Sequence, residues 1–185
     1  MSEHDEELIL RVALGDGSAC RLLVDRHLGR LVAFAGRVLS DQAEAEDVAQ
    51  EVFLRLWTHA SRWRPRGARL TTWLYRVALN LCLDRIARRR EAPLDTTVDS
   101  PDPRPSASAI LEEADIVRTL AEALANLPES QRVAITLCHY QGLSNIEAAE
   151  AMSISVDALE SLLARGRRAV RARLRGVVAD LLGEE

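Results

Sequence analysis

Two short segments concentrate side chains that could do chemistry on a nucleic acid. All 24 basic residues are arginine. Ten of them lie between positions 55 and 90 against a single acid, Asp84, giving +9; six more lie between 165 and 175 with no acid, giving +6. The rest of the chain carries −19, which brings the total to −4. Guanidinium groups keep their charge and match the fork geometry of phosphate, so two cationic blocks on an acidic body point to two contacts with one polyanion. The first block is also interleaved with rings. Five of the seven aromatic residues, Phe53, Trp57, Trp63, Trp73 and Tyr75, fall within 53–75. Flat rings beside arginines suit unstacked bases and a single-strand backbone. Helical spacing places Trp57 in the core, whereas Trp73 and Tyr75 fit either a core or a base platform.

A second constellation lies beyond residue 144. Residues 145–162 have the pattern of a helix-turn-helix: Ala149 is small enough for a tight helix crossing, Met152, Ile154 and Leu159 are the apolar glue, and Ser153 stands at the turn. On the final helix, opened by Ser155 with Asp157, the 3.6-residue period turns Val156, Leu159, Leu163 and Val170 inward. The same period turns Asp157, Ala158, Glu160, Ser161, Ala164, Arg165 and Arg168 outward. Arginine can grip guanine edges, serine can serve either base, and a carboxylate can accept from cytosine N4; the two acids either read bases or face away from the groove. The third pattern is a polar stripe with one exposed apolar member, Asp47, Gln50, Glu51 and Leu54, which suits a protein-docking face or a solvated one.

The elements that must hold these residues are helical throughout, and no period-two stretch of useful length predicts a sheet. Leu8, Ile9, Val12 and Ala13 predict a first helix ending near residues 15–17, and Leu22 to Leu39 a second. Asp41 and Glu44 have the form of a capping box opening a third helix, with Val48, Val52, Leu56 and Trp63 on one stripe. Proline and glycine within residues 64–69 predict a loop, after which a fourth helix runs from Leu70 to Arg90. Residues 91–108, with prolines at 93, 101, 103 and 105, read as a flexible linker. The chain is therefore expected to be all-α: a domain over 1–90, the linker over 91–108 and a second domain over 109–185. The latter would hold helices over 109–126 and 128–140, a stop at Gly142, and a capping box at Ser144 and Glu147.

The strings AEDVAQEVFLRLW, TTWLYRVALNLCLDRIARRR and, after the proline-rich gap, LPESQRVAITLCHYQGLSNIEAAEAMSISVDALESLLARGRRAVRARL closely resemble bacterial sigma factors of the sigma-70 family, specifically the small extracytoplasmic-function (ECF) group. That resemblance implies two helical domains, regions 2 and 4. It implies that Asp47, Gln50, Glu51, Leu54 and Arg55 dock on the clamp helices of the RNA polymerase β′ subunit. Arg64, Arg66 and Arg69 would belong to the loop that captures a flipped base of the minus-ten element. Trp73, Arg76, Asn80, Asp84, Arg85 and Arg88 would read and melt that element. Ser155, Asp157, Ala158, Glu160, Ser161, Arg165 and Arg168 would face the minus-thirty-five element, with the β flap as a further polymerase contact. The linker would pass towards the RNA exit path, and an anti-sigma factor in a stress or envelope-type response would be the expected regulator. Relatives often carry Lys or Arg where this chain has Glu160, Arg at Leu162 and Ala at Gly166, so a promoter sequence should not be borrowed from them.

Other classes fit less of the chain. A helix-turn-helix regulator explains 128–175 and leaves the aromatic-arginine segment idle, and a sigma mimic that only titrates an anti-sigma protein has no use for DNA contacts. His4, His27, His59 and His139 lack ligand spacing, and neither a phosphate-cradling glycine loop nor a Ser-His-Asp set is present, so no enzyme, metal or cofactor is expected. Cys20, Cys82 and Cys138 form neither a disulfide framework nor a zinc pattern, and Cys82 and Cys138 read chiefly as buried helix thiols. An acidic N-terminus and the lack of a long apolar run predict a cytoplasmic protein without membrane insertion. The −19 elsewhere opposes the two cationic patches. The isolated chain should therefore bind promoter duplex weakly at physiological salt in a gel-shift titration, and tight specific binding by the chain alone would contradict this charge partition.

Overall fold

The computed structural model describes residues 4–64, 69–91 and 119–182. Every regular element among the described residues is helical. Helix α1 spans Asp5–Ala13, α2 Gly17–Leu39, α3 Gln42–His59 and α4 Leu70–Glu91, with one 3-10 turn, Ala60–Arg62, after α3. In the C-terminal half, residues 119–125 are helical (α5), followed by α6, Glu129–Ile135. A π-turn, Thr136–Tyr140, continues α6; α7 is Asn145–Met152 and α8 Val156–Leu182.

Helix α2 is the axis of the N-terminal half. Its helical stripe of Ala19, Leu23, His27, Leu31, Ala35 and Val38 is buried, and Phe34 is fully enclosed. Across from it α3 buries Ala45, Val48, Ala49, Val52, Phe53 and Leu56, the two helices running back along each other after a reversal at Ser40. Ser40 makes that reversal in a left-handed conformation, φ 55°, with its N–H returned to Gly36 O. Helix α1 closes one side with Leu8, Ile9 and Val12. Asp5 ties it down: Arg26 Nη1 donates to Oδ1 at 2.9 Å, and His27 Nε2 lies 2.7 Å from Oδ2. Asp16 caps α2 by accepting from the Ser18 and Ala19 amides. The Ser18 hydroxyl and then the Arg11 guanidinium hold its carboxyl well below the usual carboxylate range.

The C-terminal half folds around α8, against which α6 and α7 pack. Gly166 allows the approach of α6: a Cβ there would lie 2.6 Å from Ile135 Cδ1. The helix-turn-helix has the predicted form. Ala149 and Leu159 are buried, and Ser153 takes the turn at φ 55°, its amide reaching Glu150 O while Ile154 N reaches Ala149 O. The Ser144–Glu147 capping box is complete.

Three expectations change. Trp63 lies beyond α3, after the 3-10 turn, because the helix stops at His59. Trp57 is 44% exposed rather than in the core, because it lies along an open groove between α3 and α2. Only half of the Asp41–Glu44 cap takes the expected form: Asp41 accepts from Glu44 N, while the Glu44 carboxylate accepts from Arg89 Nε. The linker, and the start of the helix expected over 109–126, lie outside the described residues.

The two halves are in contact. Buried apolar side chains form one continuous cluster through both, with α4 packed on α2 and α3 and also on α7. Phe34, edge-on to Tyr75 at 5.3 Å between ring centroids, lies deep in that cluster. Phe34→Ala should cost about 3–5 kcal/mol of stability, read as a lower urea midpoint.

Candidate functional site

Helix α4 is buried over a wide arc, through Leu70, Thr72, Leu74, Tyr75, Ala78, Leu79, Leu81 and Cys82. A helix packed on a single partner needs a narrower stripe. What remains open is one face, and the helical period brings Trp73, Arg76, Asn80 and Asp84 onto it. Asn80 and Asp84 are exposed, and Trp73 and Arg76 half-buried. Burial decides one of the two rings left open. Tyr75 is core, 2% exposed. Trp73 stacks on His59 (5.5 Å, 16° between planes) and meets Trp63 edge-on at 6.1 Å, so it belongs to an aromatic cluster at the foot of the arginine-rich loop. Of that loop, Arg64 and Arg69 are exposed, whereas Arg66 lies outside the described residues. Arg69 Nη1 pairs with Glu147 Oε1 at 3.3 Å.

The arginines at the end of α4 divide by role. Arg88 is exposed. Arg85 instead donates to Glu44 O at 2.7 Å. Arg89, which sequence reasoning did not single out, reaches Leu39 O, Asp41 Oδ2 and the Glu44 carboxylate. It therefore holds the carboxyl end of α2 and the first turn of α3 against α4, the placement in which a cation meets exposed carbonyls and a carboxylate together. The signal was present as an Arg85–Arg89 i, i+4 pair, but only the fold places α3's first turn opposite it.

The polar stripe of α3 and the exposed end of α4, read from sequence as separate surfaces, share one polar groove of about 490 Å³. Asp47, Gln50, Glu51, Leu54 and Arg55 line its α3 wall, and Asp84, Arg85 and Arg88 its α4 wall. Arg55 pairs with Glu51 at 2.9 Å, an exposed i, i+4 bridge. Leu54 is 57% exposed. On its other side α3 opens onto an apolar groove of about 830 Å³ against α2, where Leu28, Val32, Phe53 and Trp57 converge. Two adjoining grooves, one polar and one apolar, with exposed Leu54 lining both, have the mixed chemistry that suits a protein-docking face.

On α8 the predicted outward residues Asp157, Ala158, Glu160, Ser161, Ala164, Arg165 and Arg168 are all exposed. Ser155 Oγ accepts from Ala158 N, so that side chain caps the helix. Glu160 accepts from Asn145 Nδ2 at 3.1 Å, which turns one of the two acids towards the start of α7. Among the described residues no group of three His, Cys, Asp or Glu could hold a metal ion. Cys82 is buried, which pushes its thiol up to about 12; Cys138, expected buried, is only half-buried, as is Cys20, and that partial burial raises both thiols.

Residues 23–92 match the family profile Sigma-70 region 2, and residues 118–170 match Sigma-70, region 4. The chain is 30% identical to the RNA polymerase sigma-H factor of Pseudomonas aeruginosa, covering 96% of this chain and 97% of that protein. It is also 30% identical to the ECF RNA polymerase sigma factor SigW of Bacillus subtilis, over 90% of this chain and 95% of that one. Among solved structures, CnrH in complex with the cytosolic domain of CnrY superposes with a TM-score of 0.70 at 27% identity, covering 93% of this chain and 97% of that one. The chain belongs to the ECF group of the sigma-70 family of RNA polymerase sigma factors.

Glu147 gives this site a pH dependence. The Ser144 amide, then the Ser144 hydroxyl, and to a lesser degree Arg69, hold its carboxyl below the usual 4.5. A depressed carboxyl contributes stability above its unfolded value and loses it as pH falls through the folded one. Glu147→Ala should cost about 1 kcal/mol at neutral pH, typical of a lost helix cap. The gap from wild type in thermal melts should shrink as pH drops below 4.5.

Proposed function

We propose that this sigma factor binds core RNA polymerase through the α3 wall formed by Asp47, Gln50, Glu51, Leu54 and Arg55, and presents two promoter-reading surfaces from one chain. The α4 face of Trp73, Arg76, Asn80 and Asp84, with Arg88 and the loop arginines Arg64, Arg66 and Arg69, takes the minus-ten element. Bases extruded there lose stacking worth a few kcal/mol each, which pocket contacts and phosphate neutralisation offset. The outward face of α8 takes the minus-thirty-five duplex, where Arg165 and Arg168 anchor phosphate or guanine and Ser161 serves either base. Arg85 and Ser155 support these surfaces from within, by holding α3 and capping α8. The β flap is the second polymerase contact, and an anti-sigma factor is the regulator.

The observation that carries this reading is the shared groove, which brings the α3 docking residues and the α4 promoter face within one body. Docking and melting are then mechanically joined: α4 cannot shift without moving α3's first turn, because Arg85 and Arg89 tie them. The chain supplies binding and orientation, and catalysis stays with the polymerase in the cytoplasm. Among the described residues no helix is long and apolar enough to cross a membrane. The stimulus, of stress or envelope type, acts through the anti-sigma partner.

Run-off transcription with core polymerase on genomic promoter fragments tests the whole reading. Specific transcripts that require the added chain are expected, and a chain that neither binds core nor directs transcripts would refute it. Leu54→Ala should weaken core binding about 10-fold or more, as truncating an exposed apolar anchor in a docking face does, with little change in melting temperature. Arg76→Ala should leave core binding intact and lower transcript yield.

A further inference from the structure

We propose that Glu160, set in place by Asn145, reads one base pair of the minus-thirty-five element, and that it selects the exocyclic amino group which that pair presents in the major groove. The proposal deepens the sigma-factor reading above and rests on it. Two acids lie on the outward face of α8, Asp157 and Glu160, and both are exposed. Asp157 stands in the first turn, where a carboxylate complements the unpaired amides of the helix's own N-terminus. Glu160 lies further along, where that effect has fallen off. Its hydrogen-bond partner comes from another helix: Asn145, the first residue of α7, donates through Nδ2 to Glu160 Oε1 at 3.1 Å.

That bond does two things. It holds a long, flexible side chain in one place, so part of the ordering cost of binding is met before DNA arrives. It also uses only one carboxylate oxygen, which leaves Oε2 for a donor from outside. The Asn145 amide is oriented in turn, with its Oδ1 4.0 Å from the Cys138 thiol. Other polar groups of the same face are engaged within α8 itself: Ser155 Oγ accepts from Ala158 N, and Arg165 Nε donates to Ser161 O. Glu160 is thus an outward group of α8 braced from a second helix.

A helix-turn-helix puts the N-terminal residues of its second helix against base edges, and Glu160 is the fifth residue of α8. A carboxylate there only accepts. The major groove offers it cytosine N4 or adenine N6, whereas guanine O6 and N7 and thymine O4 are acceptors and repel it. Every base pair carries one such amino group, on one strand, so Glu160 separates a pair from its reverse. The exposed Arg165 and Arg168 offset the repulsion between this carboxylate and the phosphates.

Run-off transcription by core polymerase with the full chain, from promoters randomised across the minus-thirty-five element, tests the assignment by transcript sequencing. At one position wild type should favour a pair over its reverse by about fivefold or more. Glu160→Ala should level that position alone, and Glu160→Arg should shift it to a pair that presents guanine on the contacted strand. Asn145→Ala should weaken the same preference about twofold or more and change nothing further in the Glu160→Ala background. A merely structural role for Asn145 would instead lower yield on all templates alike. A second arm deletes the amino group itself, with purine for adenine or 2-pyrimidinone for cytosine placed in turn at each position. At the position read by Glu160, this should cost wild type about fivefold in yield and cost Glu160→Ala nothing. Equal melting temperatures check that these variants of exposed residues fold. A base profile unchanged by both Glu160 variants, or amino deletions that cost wild type and Glu160→Ala equally at every position, would overturn the assignment and leave the sigma-factor reading standing. If wild type directs no transcript at all, the underlying reading fails first.

Discussion

Tyr75 lies at the point where the two halves of this protein become one body. Its ring stands edge-on to Phe34 of α2, while its hydroxyl reaches Gln141 beyond the π-turn. A tyrosine suits this position because it has an apolar body to bury and a polar tip that needs a partner. Burial pushes that hydroxyl up to about 12, so it stays a donor throughout the physiological range. The π-turn matters equally. Its wider hydrogen-bond ring, closed by Gln141 N to Thr136 O, ends the helix with Tyr140 over Arg37 and Gln141 on Tyr75. Such local widening of a helix recurs at functional positions, where it aims side chains that a regular helix would point elsewhere.

Burying α4 on two sides leaves it a single free face, and that restriction organises the functional surfaces. Residues facing neither α2 and α3 nor α7 have only one direction left, so Trp73, Arg76, Asn80 and Asp84 come onto one face of α4. The same packing makes Arg85 a tie on α3 and Arg89 a tie on both α3 and the end of α2. An arginine run at a helix end is thus heterogeneous: members a turn apart face different neighbours, one a carbonyl, the next solvent.

Much of this architecture was legible in the residues. The helical period located α1 to α4, and the Ser144–Glu147 box and Ser153 located the helix-turn-helix, because caps and turns are set by groups within a few positions of one another. The outward face of α8 followed from the same local geometry. The rings of the aromatic segment did not. Trp57, expected inside, is exposed on the apolar groove; Tyr75, left open, is core. Period alone tells which residues share a face, but not whether another element covers it. The two sides of α3 illustrate this, since α2 meets its core stripe and leaves Trp57 uncovered.

What the sequence determined by itself is local and electrostatic: helices and their ends, two cationic blocks on an acidic body, and the set of residues on each helical face. Hydrogen bonds and rotamer preferences within a few residues, and charge counted along the chain, suffice for that. Only the tertiary structure decided which faces meet. It joined the polar stripe of α3 to the exposed end of α4 in one groove, placed Arg89 against the start of α3, and brought α7 and the π-turn onto α4 and α2. Those pairings bring together groups far apart in the chain, 66 positions for Tyr75 and Gln141 and more still for Arg37 and Tyr140. They depend on complementary shape across a buried interface, a property of two surfaces that no stretch of either one contains.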